Sequence, residues 1–232
     1  IFSLFVSSTY IFNDIKDVNL DKSHPTKKNR PIASGKIDTN RAMAIGLAIF
    51  VLTLLGSYFI NSSVAYYFLI YAVVTFFYTY IVKYIFLLDT IFISFMFVIR
   101  VLIGGAISEI VLTPYLVIFI FFTSCFLSTS KKISIINDAN INDDNKFFKL
   151  LKKQNKKYNF IPLYLFFSIL STGSLFLWFF NLYTSNISRF SLSMLSVSIF
   201  SFVVFVYYIF NYSISGELED FSSAIFKNRK LL

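Results

Sequence analysis

Polar and apolar positions are sharply segregated along this chain. Residues 42–60, 64–82, 90–107, 112–129, 160–180 and 190–212 form near-continuous apolar runs, separated by short polar stretches. Each run approaches the roughly 20 residues that a helix needs to cross a bilayer. Runs of this length without a two-residue alternation predict helices rather than the strands of a membrane barrel. The opening run IFSLFVSSTYIF is too short to span and reads as the second half of a helix whose start lies upstream. The expected fold is therefore all-α: a polytopic transmembrane helical bundle with six full spans and a partial one at the N-terminus. We expect a single domain over residues 1–232, cut short at both ends.

Composition supports that reading. Only 14% of the 232 residues are charged and 56% are hydrophobic, with a mean hydropathy of +0.70. A soluble domain carries about 25% charged residues. The lone Cys125 lies in the apolar run IFFTSCFL, so no internal disulfide is possible, and it is expected to fill space as a small hydrophobe.

Charge then gives a topology. The Lys and Arg residues concentrate in three blocks: Lys16 to Arg41, Lys131 to Lys157, and Lys227 to Lys230. Even numbers of expected spans separate these blocks, which places them on one side. The opposite connections are short and nearly free of basic residues. The excess of Lys and Arg in cytoplasmic loops orients the blocks inward, in a plasma membrane of bacterial type. The net charge of +9 follows from this bias and from anionic lipid or substrate. No nucleic-acid partner is needed to explain it, and no RNA-binding or helix-turn-helix pattern is visible.

One polar stretch carries the candidate chemistry: NDIKDVNLDKSHPTKKNRPIASG, from Asn13 to Gly35. Asp14, Asp17 and Asp21 are spaced by three and four, which sets all three on one helix face at about 100° per residue. Asn13 lies at the edge of that face. Three adjacent carboxylates repel one another unless lysines or a divalent cation offset the charge. Mg²⁺ prefers hard oxygen ligands and commonly takes one or two carboxylates together with substrate phosphates. The alternative is a solvated loop between two spans, neutralised by its own lysines. Downstream, Ser23-His24-Pro25 is expected to end the helix. Lys27, Lys28 and Arg30 then sit on a loop punctuated by Pro31 and Gly35 and are suited to phosphate.

With these residues in view, SSTYIFNDIKDVNLDKSHPTKKNRPIASG resembles the first aspartate-rich motif of the UbiA superfamily of membrane prenyltransferases. HPTKKNRPIASG is similar to the branch containing decaprenyl-phosphate phosphoribosyltransferase. YTYIVKYIFLLDTIFISFMFVIRVLIGGA resembles that branch at Tyr78, Thr79, Lys83, Asp89, Arg100 and Gly105, as does the tail segment GELEDFSSAIFKNRKLL. The resemblance implies a nine-span fold, of which this chain would lack the first span, part of the second and the last. It implies Mg²⁺-dependent transfer of 5-phosphoribose from phosphoribosyl diphosphate to a polyprenyl phosphate, as a step of cell-envelope biosynthesis. Asp14, Asp17 and Asp21 match the metal-diphosphate ligands, with Asn13 beside them, and Lys27 and Arg30 match the basic residues.

Two departures stand out. The stretch STSKKISII carries Lys131 and Lys132 but not the Glu usual in that branch. The following loop lacks the second DxxxD of ordinary prenyltransferases, since Asp138 and Asp143 are five apart. The second departure favours phosphoribosyl transfer over the alternative, movement of a polyprenyl group from its diphosphate to an aromatic or lipid acceptor. A non-enzymatic transporter or scaffold is the third reading.

Arg100, inside an apolar run, is expected to bind phosphate or to pair with Asp89 rather than snorkel to an interface. Lys83, Lys131 and Lys132 are candidate substrate contacts, equally explained as interfacial charges. The lysines from Lys146 to Lys157 are expected to be topogenic or lipid-facing.

Overall fold

In a computed structural model of the protein, residues 1–22, 27–138, 146–184 and 192–218 are described. Eight α-helices follow one another: α1 (Phe2–Lys22), α2 (Thr39–Ile60), α3 (Ser62–Phe77), α4 (Leu88–Ser108), α5 (Pro114–Asn137), α6 (Lys146–Tyr158), α7 (Phe160–Thr184) and α8 (Leu192–Ser215). No strand occurs among the described residues. Six helical segments are long and apolar enough to cross a membrane: Thr39–Ile60, Ser62–Val82, Leu88–Ser108, Pro114–Asn137, Phe160–Thr184 and Ser193–Ser215. These are the six expected spans, with ends shifted by up to eight residues, the largest shift being at the end of α5. The expected start of the last one, at Phe190, and the expected stop at Ser23-His24-Pro25 lie outside the described residues.

The chain divides into two compact units, residues 1–111 with 140–149 and residues 112–139 with 150–232, so that α6 is cut after Lys149. The first unit contains α1 to α4. Its core is Phe5, Val6, Val64, Phe68, Tyr71, Ile99 and Ile103. The Phe5 ring lies 4.6 Å from Phe68 and 5.1 Å from Phe50, so the opening run of the chain is an internal wall of this unit. Close approach of α1 and α2 depends on Gly46, where a Cβ would stand 3.1 Å from Ile11 and 3.2 Å from Phe12. Membrane helices gain contact from such small residues, because lipid gives no hydrophobic drive to pair.

Caps explain the short connections. Asp38 accepts from the Asn40 N–H at 3.0 Å and starts α2. Asn61 closes α2 by donating its N–H to the Ser57 carbonyl at 3.1 Å. Its side chain then accepts from the Ser63 N–H at 2.8 Å and opens α3. One residue therefore turns the chain between two spans. After α3 the helix widens into a π turn over Tyr78–Val82, which closes when the Lys83 N–H reaches the Tyr78 carbonyl at 3.0 Å. Such turns are frequent at functional sites. Leu87 follows with φ +66°, a conformation that a branched residue adopts only under constraint.

The second unit contains α5, α7 and α8. Ser124, Thr129, Ser130, Ser134, Ser168, Ser171 and Ser174 are buried within it, and Thr123 shares a 2.6 Å hydrogen bond with Ser171. Phe126 and Phe160 are fully buried, and the Tyr164 hydroxyl donates to the Val206 carbonyl at 2.6 Å. Cys125 is fully buried, as a packing residue would be. At the end of α8 the Leu218 N–H donates to Ser134 Oγ at 2.9 Å.

Candidate functional site

The aspartate run is helical throughout, since α1 continues to Lys22. Asp17 and Asp21 are buried, and the Asp14 side chain retains 27% exposure. The loop after α1 folds back on that face. A single 3-10 turn over Lys27–Asn29 is closed by the Arg30 N–H on the Lys27 carbonyl at 3.0 Å. The Ser34 N–H on the Arg30 carbonyl, at 2.8 Å, tightens it further. This aims Arg30 back at α1. Its Nη1 donates to Asp14 Oδ1 at 2.7 Å and to Asp21 Oδ2 at 3.0 Å.

Asp17 is held from another direction. The π turn delivers Lys83, whose Nζ forms an ion pair with Asp17 Oδ2. The same oxygen accepts from Asn13 Nδ2 at 3.1 Å. Asn13 Oδ1 in turn accepts a long 3.5 Å hydrogen bond from the Thr79 hydroxyl. The three carboxylates therefore divide into two sets, Asp14 and Asp21 on Arg30, and Asp17 on Lys83. The three negative charges meet Arg30 and Lys83 directly, and the charge of Lys27 also acts on Asp14. Burial pushes the Asp14 carboxyl above its usual range, with Arg30 opposing and Asp21 and Asp17 adding to the rise. Burial, and then the charge of Asp17, raises the Tyr84 hydroxyl beside it.

Among the described residues no three His, Cys, Asp or Glu side chains are gathered as a ready-made metal cage. The site still fits a hard cation that takes one or two carboxylates. Its donors are all carboxylate oxygens, and Asp17 Oδ1 is buried without a hydrogen-bond partner. A buried orphan acceptor is costly unless something positive reaches it.

The remaining expected residues separate. Lys27 and Lys28 are exposed on the 3-10 turn, from which the charge of Lys27 still acts on Asp14. Arg100 does not pair with Asp89. The two lie eleven residues apart on α4, about 16 Å along its axis at 1.5 Å per residue. Arg100 Nη2 instead donates to the Tyr71 hydroxyl at 2.9 Å and the Tyr10 hydroxyl at 3.3 Å. Its guanidinium also stands 5.0 Å from the Phe97 ring, and its Nε is buried with no partner. Asp89 is buried at the start of α4, where Oδ1 accepts from the Thr90 N–H at 2.8 Å. Lys131 and Lys132 belong to the second unit. Lys131 is exposed, and Lys132 is buried with its ammonium 5.9 Å from the Phe160 ring.

Tyr10 and Tyr71, the partners of Arg100, escape a sequence reading. A signal exists in retrospect: Tyr71, Thr75, Thr79 and Lys83 recur every four residues, a polar stripe along an otherwise apolar helix.

A family model for the UbiA prenyltransferase family matches residues 1–213. A decaprenyl-phosphate phosphoribosyltransferase from Mycolicibacterium smegmatis is 32% identical over 132 residues, which is 57% of this chain and 42% of that protein. A protein of the same name from Corynebacterium glutamicum is 29% identical over 138 residues, 59% of this chain and 42% of its own. A digeranylgeranylglyceryl phosphate synthase from Saccharolobus solfataricus is 40% identical over 58 residues, 25% of this chain and 20% of its own. Each match thus spans less than half the length of the relative concerned. With six span-length helices and a family match over most of its length, the chain is a multi-pass membrane protein of the UbiA prenyltransferase family.

Proposed function

We propose that the protein is a transferase that moves a 5-phosphoribosyl group from phosphoribosyl diphosphate to a polyprenyl phosphate. One observation carries this reading: three carboxylates on one helix face are matched by two cationic side chains that can exchange them for phosphate. Arg30 and Lys83 reach the carboxylates from separate segments, so either can turn to an incoming diphosphate without unfolding α1. The names of the mycobacterial and corynebacterial relatives support the phosphoribosyl donor.

In this reading Asp14, Asp17 and Asp21 would hold Mg²⁺, Asp17 Oδ1 being the buried acceptor still without a partner. When bound, the ion would neutralise charge on the departing diphosphate. The rest falls to the chain itself. Asn13 and Thr79 orient Asp17. Arg30, with its planar fork, and Lys83, as a point charge, bind the diphosphate oxygens and take up charge as the bond from the anomeric carbon to diphosphate breaks. The new bond forms between that carbon and an oxygen of the lipid phosphate. That oxygen is already anionic near neutral pH, so no side chain need remove a proton. Lys27, exposed at the mouth of the loop, would meet the donor first. Arg100 and its two tyrosines would lie along the path of a second anionic group. The site would face the cytoplasm of a bacterial plasma membrane, in keeping with the Lys and Arg bias.

The archaeal relative, whose name denotes a synthase of a prenylated glyceryl phosphate, favours a second reading, prenyl transfer from a prenyl diphosphate. Membranes containing the protein, supplied with labelled phosphoribosyl diphosphate and polyprenyl phosphate, separate the two. Labelled lipid that depends on Mg²⁺ and on Asp14 and Asp21 is the expected result. Prenylation of an aromatic or glyceryl phosphate acceptor, with no labelled lipid, would establish the second reading instead. Retention of function in Asp14→Ala and Asp21→Ala would defeat both in favour of a scaffold.

A further inference from the structure

Outside the aspartate site, α6 carries a second concentration of charge. Its sequence is KFFKLLKKQNKKY. At about 100° per residue, Lys149, Lys152, Lys153, Lys156 and Lys157 fall within an arc of roughly 140°. All five are exposed. On the other side of the helix Phe148 is 3% exposed and Leu151 1%. A lysine face on a surface helix is often only solvated, so its surroundings decide what it can do.

The surroundings here are specific. Asn159, with φ +50°, stops α6 one residue before α7 begins. Asn155 Oδ1 accepts from the Phe160 N–H at 2.8 Å and fixes the turn. Helix α7 is one of the span-length helices. The lysine face therefore ends three residues before the first residue of a span-length helix. Lys156 and Lys157 precede α7 by four and three residues, about 5–6 Å of helix rise, which is within the Debye length of about 8 Å at physiological ionic strength. Five cations spaced three and four apart also repel one another along the helix. A sheet of anions offsets that repulsion, whereas a single small anion meets only two or three of them.

We propose that α6 is a basic docking face for anionic phospholipid headgroups, holding the α5–α7 connection against the leaflet that α7 enters. The occupant is the bulk anionic lipid rather than a soluble phosphate, because the charges form a stripe beside the bilayer and not a closed pocket. Near an anionic surface each lysine is worth about fivefold in association.

The test reconstitutes the protein in bilayers with spin-labelled phosphatidylglycerol or phosphatidylcholine and reads the motionally restricted fraction of each. The wild type is expected to restrict phosphatidylglycerol several-fold more strongly than phosphatidylcholine, and to lose that preference in high salt. The variant with Lys149, Lys152, Lys153, Lys156 and Lys157 all changed to Gln should restrict the two lipids equally, with the phosphatidylcholine fraction unchanged. The corresponding five-Arg variant should keep the preference. The proposal is overturned by a wild type without preference, or by a Gln variant that keeps it. It is also overturned if the Arg variant loses the preference as fully as the Gln one, since packing rather than charge is then responsible. A preference abolished by inorganic diphosphate with Mg²⁺, at matched ionic strength, overturns it as well and assigns the face to a soluble phosphate.

Discussion

Arg30 is the point at which the site can be perturbed with the clearest consequence. In Arg30→Gln the carboxylates of Asp14 and Asp21 lose the cation between them. Their facing oxygens lie at most about 5.7 Å apart, because both bond the same nitrogen at 2.7 and 3.0 Å. Two unit charges at that separation repel by about 3 kcal/mol at an effective dielectric of 20, and by about 0.7 kcal/mol in bulk water. Asp21 is 6% exposed and Asp14 27%, so the cost lies between these limits, about 1–3 kcal/mol. The metal-free variant should unfold at lower SDS mole fraction than the wild type, followed by circular dichroism in mixed micelles. Mg²⁺ relieves the same repulsion, so it should stabilise the variant more than the wild type. The corresponding gain in Mg²⁺ affinity is roughly 5- to 150-fold, since each 1.4 kcal/mol is tenfold. Turnover should nonetheless fall, because in the proposed reaction the guanidinium also binds the diphosphate. A variant as stable as the wild type, with no larger response to Mg²⁺, would refute the idea that Arg30 keeps these two carboxylates together.

Other outcomes follow from the same geometry. Lys83→Met strands the buried Asp17 carboxylate and should cost about 3–5 kcal/mol; in the double variant Asp17→Asn/Lys83→Met most of that loss should return, while activity does not. Asp14 has a folded-state pKa raised above 3.8, chiefly by burial, so its contribution is complete below that value and is lost as pH rises through the folded pKa. Asp14→Asn should therefore flatten the acid-range decline in metal-free stability with rising pH, and abolish transfer. Arg100→Met removes a half-buried cation that has no carboxylate partner among the described residues, but leaves the Tyr71 hydroxyl without its 2.9 Å donor. The two effects oppose, so unfolding should shift little, whereas KM for the lipid phosphate should rise if Arg100 lies on its path. Gly46→Leu forces atoms into a contact where a Cβ alone would meet Ile11 at 3.1 Å, and should cost about 1–3 kcal/mol in the same unfolding assay.

The residue string alone determined the spans, because a bilayer demands both length and apolarity of any helix that crosses it. It also determined which acidic residues stand together. Asp14, Asp17 and Asp21 share a face because helical periodicity is local, and an acidic face in so apolar a chain has few other uses. Helix α6 was legible only as a run of lysines, since the polar loop around it hides its apolar side. What the string left open is partnership. Arg30 bridges Asp14 and Asp21, while Lys83, sixty-six positions from Asp17, completes the other pair. Arg100 joins Tyr10 and Tyr71 rather than Asp89. Those choices depend on how a returning loop and a π turn bring distant segments together. Periodicity acts along one helix and fixes a face. Which cation meets that face is decided by chain reversal and packing, and these exist only in the folded protein.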